Sequence, residues 1–214
     1  MIHRAIACLL LGTLAVALTL TVAQGPFDES SFAFQQYRDY SGTVFATPAP
    51  TLLTGEDSFL LTRPGKFGAN VGVWDGRSVN LRGALIQSGP NRMLEIEPGT
   101  IRAAAIAPQF PPPVEHLGAV ELTGEIADSK CYYGVMNPGR GKVHRDCAVR
   151  CLSGGAPPVL LVRDASGTLH PLLLTGMGRG ILNYAAERVR FRGELQRAGS
   201  QLVFQAIPSS LRRE

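Results

Sequence analysis

Lysine and glutamate are scarce in this 214-residue chain, and with them the usual material of solvent-exposed helices. There is no phosphate-binding glycine loop, no dinucleotide fingerprint, no G-x-S-x-G turn and no H-E-x-x-H helix. The sequence signatures of nucleotide, acyl and zinc-protease chemistry are therefore missing. No C-x-x-C-H segment occurs, which excludes covalently attached c-type haem. The formal charge of +4 is mild. It favours anionic surroundings slightly and lacks the dense basic patch of a nucleic-acid binder, so no nucleic-acid partner is expected. No acid–base constellation stands out, which argues against an independent enzyme.

What the chain does have is glycine (24) and proline (15), together with 45% hydrophobic residues. That mixture suits short strands joined by tight turns around a buried core. At the N-terminus, Arg4 precedes an uncharged run from Ala5 to Ala23. The run is longer than the usual signal-peptide core and nearly long enough to span a bilayer. Thr21-Val22-Ala23 also offers a small-residue cleavage site. The length favours a retained membrane anchor over a cleaved signal. In either case Arg4 stays cytoplasmic and the residues after Gln24 are exported, to the periplasmic or extracellular side of the cell envelope. Cys8 lies inside the apolar run with no lipobox around it.

Residues 24–39 read as a tether. Strand-like segments follow at Ser41–Ala46, Ser58–Thr62, Val71–Trp74, Ser78–Gln87 and Arg92–Glu97, separated by proline and glycine turns. The run Pro108 to Pro113 is stiff and extended, and 108–117 reads as a linker between a first β domain (40–107) and a second (118–214). The second has strands at Ala119–Ala127, Val159–Arg163, Thr168–Thr175, Glu187–Arg197 and Gln201–Ile207. The halves resemble each other. Val79-Asn80-Leu81-Arg82-Gly83-Ala84-Leu85 matches Val189-Arg190-Phe191-Arg192-Gly193-Glu194-Leu195. Each match follows a leucine-rich strand and precedes a glycine turn, Gly89 or Gly199. Glycine within a strand marks a bulge or a sharp bend. A five-stranded barrel with such a bend resembles the OB fold. The expected fold class is thus all-β: two OB-like barrels in tandem after the N-terminal helix.

The second half carries an insert, 124–158, with three of the four cysteines. Its segment Gly124-Glu125-Ile126-Ala127-Asp128-Ser129-Lys130-Cys131 and the later His144-Arg145-Asp146-Cys147-Ala148-Val149-Arg150-Cys151 resemble small exported bacterial proteins with a G-E-[IV]-x-D-x-x-C…H-x-x-C-A-x-x-C stretch. That resemblance implies export and carries no settled chemistry. His144 to Leu152 reads as a short helix, on which His144, Cys147 and Cys151 stand at i, i+3 and i+7 on one narrow face. Cys131 can approach from the preceding strand. Cys131, His144, Cys147 and Cys151 then form a Cys3His set suited to zinc or Cu(I). The spacing C-x12-H-x2-C-x3-C is not that of a common zinc finger. A disulfide from Cys131 to Cys147 or Cys151 is an equally weighted alternative in an exported protein. A reactive thiol beside His144 ranks third.

Asp128 is placed to orient His144 from behind, or to serve as a turn residue. Arg188, Arg190 and Arg192 alternate, so they share one strand face. That face is a candidate for an anionic polymer or an envelope partner, with a plain solvated face as the commoner role. Three functions follow as expectations: an envelope metal-binding protein, a disulfide-stapled binding module, or an accessory subunit of an envelope redox complex.

Overall fold

The computed structural model describes residues 2–23, 29–55 and 57–214. The N-terminal run is one helix, α1 (Ile2–Ala23), with no buried residue. By length and composition it could cross a membrane. The rest is mostly β. The first unit contains β1 (Ser31–Phe32), β2 (Arg38–Phe45), β3 (Thr51–Thr54), β4 (Asp57–Arg63), β5 (Phe67–Gly68), β6 (Ser78–Ser88), β7 (Asn91–Ile96) and β8 (Arg102–Ala103). The second contains β9 (Val114–Asp128), the helix α2 (Arg145–Ser153), β10 (Pro158–Arg163), β11 (Leu169–Thr175), β12 (Arg188–Ala198), β13 (Gln201–Ala206) and β14 (Arg212–Arg213).

In the first unit the pairings run β2–β3, β3–β4, β4–β7, β7–β6 and back from β6 to β2, closing a five-stranded barrel. Only β4 and β7 run parallel. In the second unit they run β9–β10, β10–β11, β11–β13, β13–β12 and β12–β9, again with one parallel pair, β11–β13. The registers coincide as well. Gly42 faces Val79 where Gly124 faces Val189, and Gly83 faces Ile96 where Gly193 faces Ala206. Even the terminal strands correspond: β8 adds to Val79 and Asn80 of β6, β14 to Val189 and Arg190 of β12.

Physical necessity shows at Gly42 and Gly124. A Cβ on either would run into the carbonyl of the facing strand, at Leu53 or Leu161. Glycine there lets the first strand of each circuit fold tightly over the second. Alternate burial along β12 places Val189, Phe191 and Gly193 inside and Arg188, Arg190 and Arg192 outside.

Four local expectations change. Val71–Trp74, read as a strand, contains a 3-10 turn at Gly72–Trp74; so short an apolar run has no periodicity to decide between turn and strand. Thr51–Thr54 was hidden among prolines and is a strand, lying just past Pro50. The tether 24–39, where described, is not loose: Ser31 and Phe32 pair with Gln87 and Ile86. Residues 24–28 lie outside the described residues. The strand β9 begins at Val114, within the stretch read as a linker, and Gln109 N–H donates to Thr43 Oγ1 at 2.7 Å, holding that stretch against the first unit.

Each unit has its own apolar core, one around Val44, Leu61, Leu81 and Leu94, the other around Ile126, Leu160, Phe191 and Phe204. A third cluster joins the units. It contains Leu60, Ile86 and Met93 of the first, Leu173 and Val203 of the second, and Tyr133 of the insert. Phe32 of β1 packs against it. By register, Leu60 corresponds to Leu173 and Met93 to Val203, so the units meet through equivalent strand positions.

Candidate functional site

The insert occupies the connection from β9 to β10. In the first unit the equivalent link, from β2 to β3, is a few residues around Pro48. Immediately after Asp128 the chain makes a π-helical turn, Cys131–Val135. Gly134 within it has φ 150, and a Cβ there would collide with Ser31 backbone atoms of β1. A 3-10 turn, Lys142–His144, leads into α2. The helix ends where Gly154 N–H bonds to Arg150 O and Gly155 N–H to Leu152 O, with Gly155 at φ 92. Ala148, Cys151 and Leu152 are its buried face. His144 is the residue before the helix, so the expected one-face arrangement applies to Cys147 and Cys151, while His144 turns elsewhere.

The three sulfurs converge. Cys131 Sγ is 3.7 Å from Cys147 Sγ and 3.8 Å from Cys151 Sγ. No disulfide joins them. Cys131 and Cys151 are buried, and Cys147 is part-exposed. Cys131 is the centre of the group and keeps its proton: a hydrogen bond to Cys151, then burial, push its pKa up. Cys151 is pushed down, chiefly because it accepts that bond, with the Lys66 ammonium assisting against desolvation.

Behind the sulfurs lies a buried carboxylate–imidazole pair. Asp128 Oδ1 accepts the Cys131 backbone N–H at 2.8 Å, and Asp128 Oδ2 stands 3.0 Å from His144 Nε2. Asp128 is 0% exposed and His144 3%. Two overlapping groups of metal-capable atoms result, Cys131/Cys147/Cys151 and Asp128/Cys131/His144, each with its ligand atoms within 4.8 Å of one another. Cys131 belongs to both.

The first unit completes the site. Lys66, in the turn between β4 and β5, places Nζ 2.7 Å from Cys147 Sγ and 4.0 Å from Cys151 Sγ. Its own pKa is raised, mainly by the bond to Cys147. Lys130 of the insert runs the other way. Its ammonium, buried at 2% exposure, holds Glu95 Oε2, Arg63 O and Gly65 O, each at 2.7 Å. Three donors thus meet three acceptors, which is what a buried ammonium requires. Gly68 N–H donates to Gly154 O at 3.0 Å. Neither Gly68 nor Gly154 has room for a Cβ, because the backbones of the turn and the insert touch there.

Lys66, Lys130 and Glu95 are the site residues that sequence reasoning missed. Nothing local marks Lys66, which lies far from the cysteines in sequence. Lys130 stands next to Cys131, yet only its burial reveals its role. The arginine face is largely engaged. Arg190 pairs with Glu214 and, at 3.9 Å, with Glu121, and Arg188 reaches Glu214 at 3.5 Å. Arg192 is exposed beside them.

Comparison with family models, curated proteins and solved structures finds no match for this chain.

Proposed function

We propose that this is a membrane-anchored protein of the cell envelope, built from two OB-like barrels, whose insert binds a metal ion through Cys131, Cys147 and Cys151. The observation that carries this reading is the triangle of sulfurs. Three thiolates held about 2.3 Å from one tetrahedral ion stand about 3.8 Å apart. The distances from Cys131 to Cys147 and Cys151 are 3.7 and 3.8 Å.

His144, which stands with Asp128 and Cys131, is the fourth ligand in this reading and closes on the ion when metal binds. Asp128 holds its Nε2, leaving Nδ1 to the ion, in the carboxylate–histidine arrangement common around zinc. Three thiolates and a neutral imidazole leave a divalent ion with one negative charge in excess, and the Lys66 ammonium offsets it. Soft sulfur donors suit zinc or Cu(I). The site serves either to fix the insert or to hand metal on.

The OB-like assignment rests on the pairing order, with the third and fifth strands of each circuit parallel, and the insert occupies the connection between the first and second strands, a loop that OB folds use for binding. Export rests on α1 with Arg4 at its start. Envelope partners would meet the exposed insert rather than the paired arginines.

The test is a joint count of metal and thiols on full-length protein purified without chelator. About one zinc or copper per chain, with all three insert thiols reactive after denaturation, is the expected result. No metal and a single reactive insert thiol besides Cys8 would make the stretch a disulfide staple and overturn the reading. In that case the binding-module and redox-subunit readings take over.

A further inference from the structure

Lys66 and Cys147 come from different units, yet Nζ and Sγ are 2.7 Å apart. That lies within the range of hydrogen bonds from nitrogen to oxygen, although sulfur is the larger atom. The two atoms are closer than a hydrogen bond to sulfur requires, and one bridging oxygen spans such a separation. Cys147 is also the most accessible of the three insert thiols, so a small oxidant meets it first. The Lys66 backbone is held in place. Its carbonyl abuts Gly154, and the carbonyls of Arg63 and Gly65 on the same turn are gripped by Lys130.

From this geometry we propose that Lys66 and Cys147 are a site of oxidative modification, joined as Nζ–O–Sγ, which links the first unit covalently to the insert. The co-reactant is dioxygen. One of its atoms forms the bridge, making one S–O and one N–O bond. The other leaves as water with the two hydrogens given up by the Lys66 amine and the Cys147 thiol. Sulfur and nitrogen together are oxidised by four electrons, and dioxygen accepts all four. A thiol reductant reverses the link. The crosslink needs only this pair and stands whether or not the sulfurs bind metal. Where they do, it withdraws Cys147 from the ligand set, so crosslink and full metal coordination exclude each other.

The experiment uses full-length protein, part assayed for metal as purified and part stripped with chelator and exposed to air-saturated buffer. The oxidised part is alkylated, digested with trypsin and mapped by mass spectrometry. The expected product is a peptide pair joined at Lys66 and Cys147, heavier than the separate peptides by one oxygen less two hydrogens. Trypsin no longer cuts after Lys66, and dithiothreitol restores both cleavage and alkylation. Lys66→Arg abolishes the pair while leaving Cys147 open to alkylation. A Cys131–Cys147 disulfide, or a Cys147 sulfinic acid with Lys66 still cleaved, would overturn the proposal. Metal without the crosslink removes this proposal alone, and the crosslink without metal removes the metal reading alone.

Discussion

The two units share a pairing circuit and a register, and differ where β2 meets β3 in one and β9 meets β10 in the other. The first unit crosses that gap with a few residues near Pro48, whereas the second opens it to build Ser129–Pro157. The strand framework therefore accommodates very different loops, and the three sulfurs all come from the loop that differs. The plainer unit is still not a bystander. It supplies Lys66 to the sulfurs and Glu95 to Lys130. At the position matching Glu95, the second unit has Gln205. The charge that grips the insert belongs to one copy only.

The sharpest way to break this comparison is to remove the grip. Lys130→Ala leaves Glu95 buried without its cation and is expected to cost about 3–5 kcal/mol, read as a lowered denaturation midpoint of the full-length protein. Glu95→Gln gives the first unit the second unit's residue. Two carbonyls still hold the ammonium, so its loss should be smaller; equal losses would mean that Lys130 acts mainly through Glu95 and that the carbonyls add little.

Next in size is the orienting carboxylate. Asp128→Asn should weaken metal affinity roughly 10–100-fold while the metal count at saturation stays the same. A chelator competition titration measures it, and an unchanged affinity would remove His144 from the ligand set.

The shared register is tested by a matched pair, Gly42→Ala and Gly124→Ala. Each drives a methyl group into a facing carbonyl and should cost about 1–3 kcal/mol. Comparable losses in thermal or denaturant melts are expected, and a silent change at either would show that the two first strands do not bend alike. The smallest effect is expected at Arg190→Glu. Its surface pairs contribute about 0–1 kcal/mol, so the melt should barely move. Clear loss of binding to an anionic polymer would bring the arginine face back as a partner surface.

Much of the framework was legible because strands advertise themselves by alternation. The match of Val79–Leu85 to Val189–Leu195 exposed both β6 and β12, and the leucine-rich strands preceding them are β4 and β11. Thr51–Thr54 was not legible, since prolines before it mask a short strand. Cys131, Cys147 and Cys151 could be grouped from spacing, because a strand end and one helix face bring them together. His144 turns from that face toward Asp128, because the helix starts one residue later than its pattern suggests. Lys66 was out of reach. Its position depends on how two units dock, and docking is decided by Tyr133, Leu60, Leu173 and their neighbours, not by any local pattern.

That docking face brings equivalent positions of the two units together. Leu60 and Leu173, like Met93 and Val203, are the same place in two copies of one circuit, and they are buried in one cluster. A patch that meets its own counterpart is the contact a twofold homodimer uses. The correspondence ends at the connection that differs, and there the first unit's turn, through Lys66, is the wall of an asymmetric site.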